Sequence, residues 1–185
     1  MKTVLVDFSL DHSYADRMRR DLVGMGVACV LFQIEDVKGC TGCGKCWKKR
    51  RCVMEDEVNQ VIDLMETADG LVLICPVYYG RADERIMKFV TRLYHSGSDR
   101  LNHKLVTCLF ETRGKDCQGA FFEVMDDFVR SRSCLLVPAE CGRIRTYEKR
   151  KTETYAFLLH KHEQAVQDGV LNGDPVIVPF SEFVR

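Results

Sequence analysis

Residues 70–94 read GLVLICPVYYGRADERIMKFVTRLY, and two different periodicities meet inside this one stretch. The first part, GLVLICPV (70–77), is apolar at nearly every position, as a strand covered on both faces must be. After the turn residues Tyr78, Tyr79 and Gly80 the pattern changes. Ile86, Phe89, Val90 and Leu93 recur at intervals of three and four, which places them on one buried face of a helix. A strand that runs through a short loop into an amphipathic helix is the repeating unit of a parallel α/β sheet.

The unit recurs in both directions along the chain. Strand-like runs occur at TVLVDF (3–8), VACVLFQI (27–34), KLVTCLFE (104–111) and CLLVPA (134–139). Helical spacing joins Ala15, Met18, Leu22 and Met25, then Val58, Val61, Ile62 and Met65, then Phe121, Val124, Met125 and Phe128. A last helix is expected over 155–166, ahead of an extended tail, NGDPVIVPFSEFVR. Alternating strands and helices require right-handed crossovers and helices on both faces of the sheet. Five strands in 185 residues predict an α/β flavodoxin-like three-layer sandwich with a five-stranded parallel sheet of order 2-1-3-4-5. Residues 1–185 read as one flavodoxin-like domain with a cysteine-rich loop, 38–56, after strand 2. The C-terminal helix and tail span 150–185, and a basic segment, GRIRTYEKRKTE (142–153), follows strand 5.

Composition narrows the function. The chain carries 27 basic and 27 acidic side chains, so no global charge recommends nucleic acid or a membrane surface as partner. The N-terminal apolar run is interrupted at Asp7, too early for a secretory signal, and no run reaches membrane-spanning length. A cytoplasmic location is expected, where ten cysteines read as thiols, metal ligands or redox groups.

A sheet of this order binds ligands beyond the carboxyl ends of its strands, where the winding reverses between strands 1 and 3. Three loops meet there. In the first, FSLDHSYAD (8–16), Ser9, His12, Ser13 and Tyr14 stand at the start of helix 1 and form a candidate phosphate seat, although Ser13 also suits a simple helix cap. Asp11 would repel a phosphate unless it points away. In the second, Pro76, Val77, Tyr78, Tyr79 and Gly80 offer aromatic rings and an accessible backbone to a planar cofactor, or pack on the next helix. In the third, Glu111, Thr112, Arg113 and Gly114 follow strand 4, with Arg113 a candidate for the electron-rich edge of a flavin or its phosphate. No Ser-His-Asp set, carboxylate pair or hydrolytic metal motif supplies a catalytic residue.

Cys40, Cys43, Cys46 and Cys52 have the spacing C-x2-C-x2-C-x5-C, four thiols within thirteen residues. Thiolates in so compact a loop can wrap one [4Fe-4S] cubane. A closed zinc site and free or redox-active thiols are the alternatives. Between the third and fourth cysteines lies WKKRR (47–51). Its cations would favour a reduced cluster or dock an acidic carrier, and Trp47 would shield the cluster from solvent. Cys29, Cys75, Cys108 and Cys134 read as small core residues, whereas Cys117 and Cys141 are expected to be more exposed.

PVYYGRADERIMKFVTRLY (76–94) resembles the flavin-contacting segment of flavodoxin-like NADPH-dependent FMN reductases, which read Pro-Val-Tyr-x-Gly before a helix. With the cysteine loop added, residues 3–115 resemble the iron-sulfur flavoprotein branch of that superfamily. The resemblance implies FMN and a [4Fe-4S] cluster, a flavin-dependent oxidoreductase, a ferredoxin-like electron carrier or NAD(P)H as partner, and a homodimer or homotetramer. The first loop departs from the family's Gly-Asn-Thr type, and Thr112-Arg113 replaces a glycine-rich turn. Two other readings are a cluster-free NAD(P)H-dependent FMN or quinone reductase and a flavin-free thiol or zinc sensor.

Overall fold

A computed structural model describes residues 1–112, 117–130, 134–137, 143–144, 147–168 and 177–179. The strands are β1 (Lys2–Asp7), β2 (Ala28–Gln33), β3 (Gly70–Tyr78), β4 (Arg81–Ala82), β5 (Leu105–Glu111), β6 (Cys134–Val137), β7 (Arg143–Ile144) and β8 (Ile177–Pro179). The helices are α1 (Ser13–Gly24), α2 (Cys46–Lys49), α3 (Glu57–Leu64), α4 (Glu84–Gly97), α5 (Gln118–Arg130) and α6 (Lys149–Gln167). No helix among the described residues is long and apolar enough to cross a membrane.

The sheet runs β2-β1-β3-β5-β6-β8, and every pair along that path is parallel. Its five long strands take the expected flavodoxin-like order. The tail adds β8 as a sixth strand, so part of PVIVPF (175–180) extends this chain's own sheet. Strand β2 departs from the expectation of cover on both faces. It lies at the opposite edge, and its central residues, from Cys29 to Phe32, are half-buried. Continuous apolarity does not separate an edge strand from an interior one.

Alternation across the pleat divides the core in two. Val4, Val6, Phe8, Leu71, Leu73, Cys75, Val106, Cys108 and Phe110 pack with the buried faces of α3, α4 and α5. Leu5, Val72, Ile74, Leu105 and Leu109 pack with α1 and α6 on the other side. Cys75 and Cys108 are core residues as expected, and Cys117, expected to be more exposed, is buried at the start of the α5 layer. Cys141 lies outside the described residues.

Helix α6 approaches β1 and β3 closely. Tyr155 is buried and its hydroxyl hydrogen-bonds the Thr3 hydroxyl at 2.6 Å, satisfying two polar groups deep in the sheet interface. Gly70, the first residue of β3, makes this possible, because a Cβ there would collide with Tyr155 Oη and lie 3.0 Å from Leu159 Cδ1. Gly70→Ala is therefore expected to lower unfolding stability by about 1–3 kcal/mol, measured by urea denaturation.

Candidate functional site

Strand β1 is flanked on both sides by parallel neighbours, and its last residue, Asp7, lies opposite Gln33 of β2 and Ile74 of β3. The loops after β1, β2 and β3 therefore leave the sheet side by side. Arg85, in the first turn of α4, ties the three together. Its guanidinium donates to Phe8 O at 2.7 Å, to Glu35 O at 3.4 Å and to the Asp83 carboxylate at 2.9 Å. Asp83 also accepts from Arg85 N, and the arginine holds the Asp83 carboxyl below its ordinary range despite partial burial.

The first loop is organised around two carboxylates. Asp7 is fully buried; its Oδ1 accepts from Ser9 N and Ser9 Oγ, and its Oδ2 contacts His12 Nδ1 at 2.7 Å. Asp11, at the surface, accepts from both Ser13 N and Ser13 Oγ at 3.0 Å. These two bonds lower the Asp11 carboxyl below its ordinary value, so this position stabilises negative charge. The helix N-cap is His12, without a side-chain cap, so Ser13 does not cap α1. Tyr14 is buried against Tyr147, ring edge to ring face. The hydroxyls of Ser9 and Ser13 thus serve the loop's own carboxylates.

The second loop is a β-hairpin. Strand β3 runs to Tyr78, which pairs with Arg81, and Val77 pairs with Ala82. The central residues Tyr79 and Gly80 both have positive φ, 51° and 78°, the arrangement of a type I′ turn. Glycine takes it without strain, whereas a tyrosine there is costly. The hairpin leaves Tyr79 fully exposed and Tyr78 half-exposed. In the third loop Thr112 is buried and Glu111 half-buried beside Pro76. Arg113 and Gly114 lie outside the described residues.

The cysteine loop is fastened at its far end. Asp56 caps α3 through Asn59 N, and buried Asn59 donates through Nδ2 to Cys52 O at 2.9 Å and to Met54 O. Arg92 of α4, 1% exposed, binds both Asp56 oxygens at 2.6 and 2.9 Å and Lys38 O at 3.2 Å, so one guanidinium joins the start of the loop to its end. Cys40, Cys43, Cys46 and Cys52 all line one small cavity, about 30 Å³, with Arg92, His95 and Ser96. The Lys45 N–H and the Thr41 hydroxyl hold the Cys43 thiol below its ordinary value, while burial and the neighbouring Cys40, Cys52 and Cys43 push Cys46 up.

The donor set fits an iron-sulfur cluster in chemistry. In size the cavity holds little more than water. Gly42 and Gly44, with φ of 66° and 65°, border open space, so the segment from Cys40 to Cys46 has room to move outward. Among the described residues, no three Cys, His, Asp or Glu side chains converge closely enough to hold a single metal ion.

The basic run is partly internal. Arg50 pairs with Asp99 at 2.7 Å, and Arg51 bridges Glu55 at 2.6 Å and Asp63 at 3.2 Å. Trp47 is 82% exposed and does not shield the cysteines in this chain. It stands instead on the wall of a neighbouring groove of about 450 Å³, with Cys46, Arg50, His95 and Arg100.

Asp7, Asn59, Asp83, Arg85 and Arg92 are site-building residues that sequence reasoning missed. Arg92 left a signal, because its three-residue and four-residue steps from Phe89 and to Ser96 put a charge on an otherwise buried stripe.

The parallel sheet with its strand order and flanking helices defines a flavodoxin-like protein. More narrowly, the chain belongs to the NADPH-dependent FMN reductase family, whose profile matches residues 9–109. Within that family it is similar to an iron-sulfur flavoprotein of Archaeoglobus fulgidus, 32% identical over 74 residues, 40% of this chain and 34% of that protein. A second, from Methanosarcina thermophila, is 33% identical over 57 residues, 31% of this chain and 30% of that one. These matches span about a third of the relatives' own length. Among solved structures, the flavoenzyme NAD(P)H:(acceptor) oxidoreductase FerB from Paracoccus denitrificans superposes with a TM-score of 0.58. It is 14% identical, with 90% of this chain and 97% of FerB covered, and that likeness concerns the fold alone.

The turn makes one outcome measurable without any ligand. Tyr79→Gly is expected to raise unfolding stability by about 1 kcal/mol by removing a side chain from left-handed backbone, read as a shift in the denaturant midpoint.

Proposed function

We propose that this protein is an FMN-binding electron-transfer flavoprotein whose four-cysteine loop holds a [4Fe-4S] cluster. The observation that carries the reading is that Cys40, Cys43, Cys46 and Cys52 line one cavity in a member of the FMN reductase family. Topology brings that loop out at the same sheet edge as the flavin loops, and Arg85 joins their roots. Bound FMN exchanges electrons in pairs or singly and a cubane exchanges them one at a time, so together they connect two-electron and one-electron carriers.

The chain's own residues divide the work. The hairpin of Tyr78, Tyr79 and Gly80 presents aromatic surface and backbone to the flavin ring. The N-terminus of α1 receives the phosphate, beside the Asp11 carboxylate that accepts from Ser13 N and Ser13 Oγ. Asp7 fixes His12 through Nδ1 at the side of that seat. Helix α4 spans the two centres: Arg85 lies at the flavin loops and Arg92 at the cysteine cavity, about 10 Å further along the axis at 1.5 Å per residue. A ferredoxin-like carrier or NAD(P)H supplies electrons, and the exposed Tyr78 and Tyr79 suit a homodimeric or homotetrameric contact over the flavin edge.

Anaerobic purification followed by quantitation of flavin, iron, acid-labile sulfide and zinc tests the proposal. One FMN with about four irons and four sulfides per chain is expected. Flavin without iron or sulfide after reconstitution would leave a cluster-free reductase, and zinc without flavin a sensor. Cys46→Ala is expected to abolish a stable cubane while keeping FMN. Asp11→Asn is expected to tighten FMN by about 3-fold, since it removes a charge from the phosphate seat, and to leave riboflavin affinity unchanged. Fluorescence titration with both ligands measures the difference.

A further inference from the structure

A guanidinium as buried as Arg92's is costly to desolvate unless its charge and its donors are matched. Asp56 matches the charge with two oxygens, and Lys38 O takes one further bond. One donor of the guanidinium remains unmatched. Arg92 Nε–H is buried and has no acceptor among the described residues, while Cys52 lines the same cavity as the guanidinium. Arg92 lines the cavity that all four cysteines share, where the other basic side chain is His95. A buried cation with a spare donor, set in the wall of a cavity rimmed by thiols, lacks an anion on the cavity side.

We propose that Arg92 is a positioning residue for the cluster. It supplies the resident positive charge of the cysteine cavity, directs its free donor toward the sulfur ligands, and makes the bound cluster easier to reduce. The inference rests on the cluster reading above. Four thiolates around a cubane carry net negative charge, and one electron more increases it. A nearby fixed cation therefore stabilises the reduced form, and a hydrogen bond to a ligand sulfur acts in the same direction. Asp56 has the opposite effect, because it offsets part of the arginine's charge.

A simple structural tie between Lys38 and Asp56 would give a different result, so the sign of two shifts decides. Wild type, Arg92→Gln, Arg92→Lys and Asp56→Asn would be reconstituted anaerobically with iron and sulfide. Iron and sulfide per chain would be measured, and the cluster's midpoint potential followed by redox titration. Asparagine is as good a helix N-cap as aspartate, so α3 is retained in Asp56→Asn. The expected order of midpoints is Asp56→Asn above wild type, Arg92→Lys below wild type, and Arg92→Gln lowest. If Arg92→Gln does not fold, the other two variants still lie on opposite sides of wild type. Shifts of the same sign, or none, in loaded variants overturn the inference and leave Arg92 as a structural tie. A wild-type chain that takes up no iron or sulfide overturns both this inference and the reading it rests on.

Discussion

Strand β1 hydrogen-bonds along its whole length to β2 on one side and β3 on the other, all three parallel. Parallel neighbours must leave the sheet at the same edge, so the loops after β1 and β2 start level at Asp7 and Gln33, and the β3 loop leaves the same edge further on. Everything specific about this molecule is built on that constraint. Arg85 reaches carbonyls behind β1 and β2 from the start of α4 because the strands before them end level. The hairpin of Tyr79 rises beside them, since β3 continues beyond the point where β1 stops.

Buried charge is the second organising feature. Asp7 is held by three donors from its own loop, and Arg92 by the two ends of the cysteine loop. Such groups contribute little net stability compared with apolar residues of similar size. Their effect is to specify, because each fixes a loop whose residues have no apolar reason to stay in one place. Residues 38–46 are mostly exposed, yet both ends of the loop are anchored at a single guanidinium. A loop fixed at its ends and glycine-rich between them can rearrange around a bound group without disturbing the sheet.

Much of the fold was legible. Apolar runs marked the five long strands, three-to-four spacing marked the principal helices, and their alternation gave the order of the sheet. The edge position of β2 and the addition of β8 were not legible, because pairing partners far apart in sequence leave no local trace. For the site, the cysteine spacing and the Pro-Val-Tyr-Tyr-Gly turn were read directly. The committed hydroxyls of Ser9 and Ser13 were not, since competition between a ligand and a loop's own carboxylates depends on backbone geometry. Trp47 was expected to cover the cysteines, but a side chain on an exposed four-residue helix can face away from them.

The sequence by itself determined the class of sheet, the loops at its ligand edge and the presence of four thiols in one compact segment, because periodicity and spacing are local properties of the chain. Only the tertiary structure decided that those thiols share a cavity with a buried arginine, that Asp7 holds His12, and that Asp11 takes the N–H and hydroxyl of Ser13 at the start of α1. Each of these is a meeting of polar groups, and whether two such groups meet depends on burial and distance, which the linear order of residues does not contain.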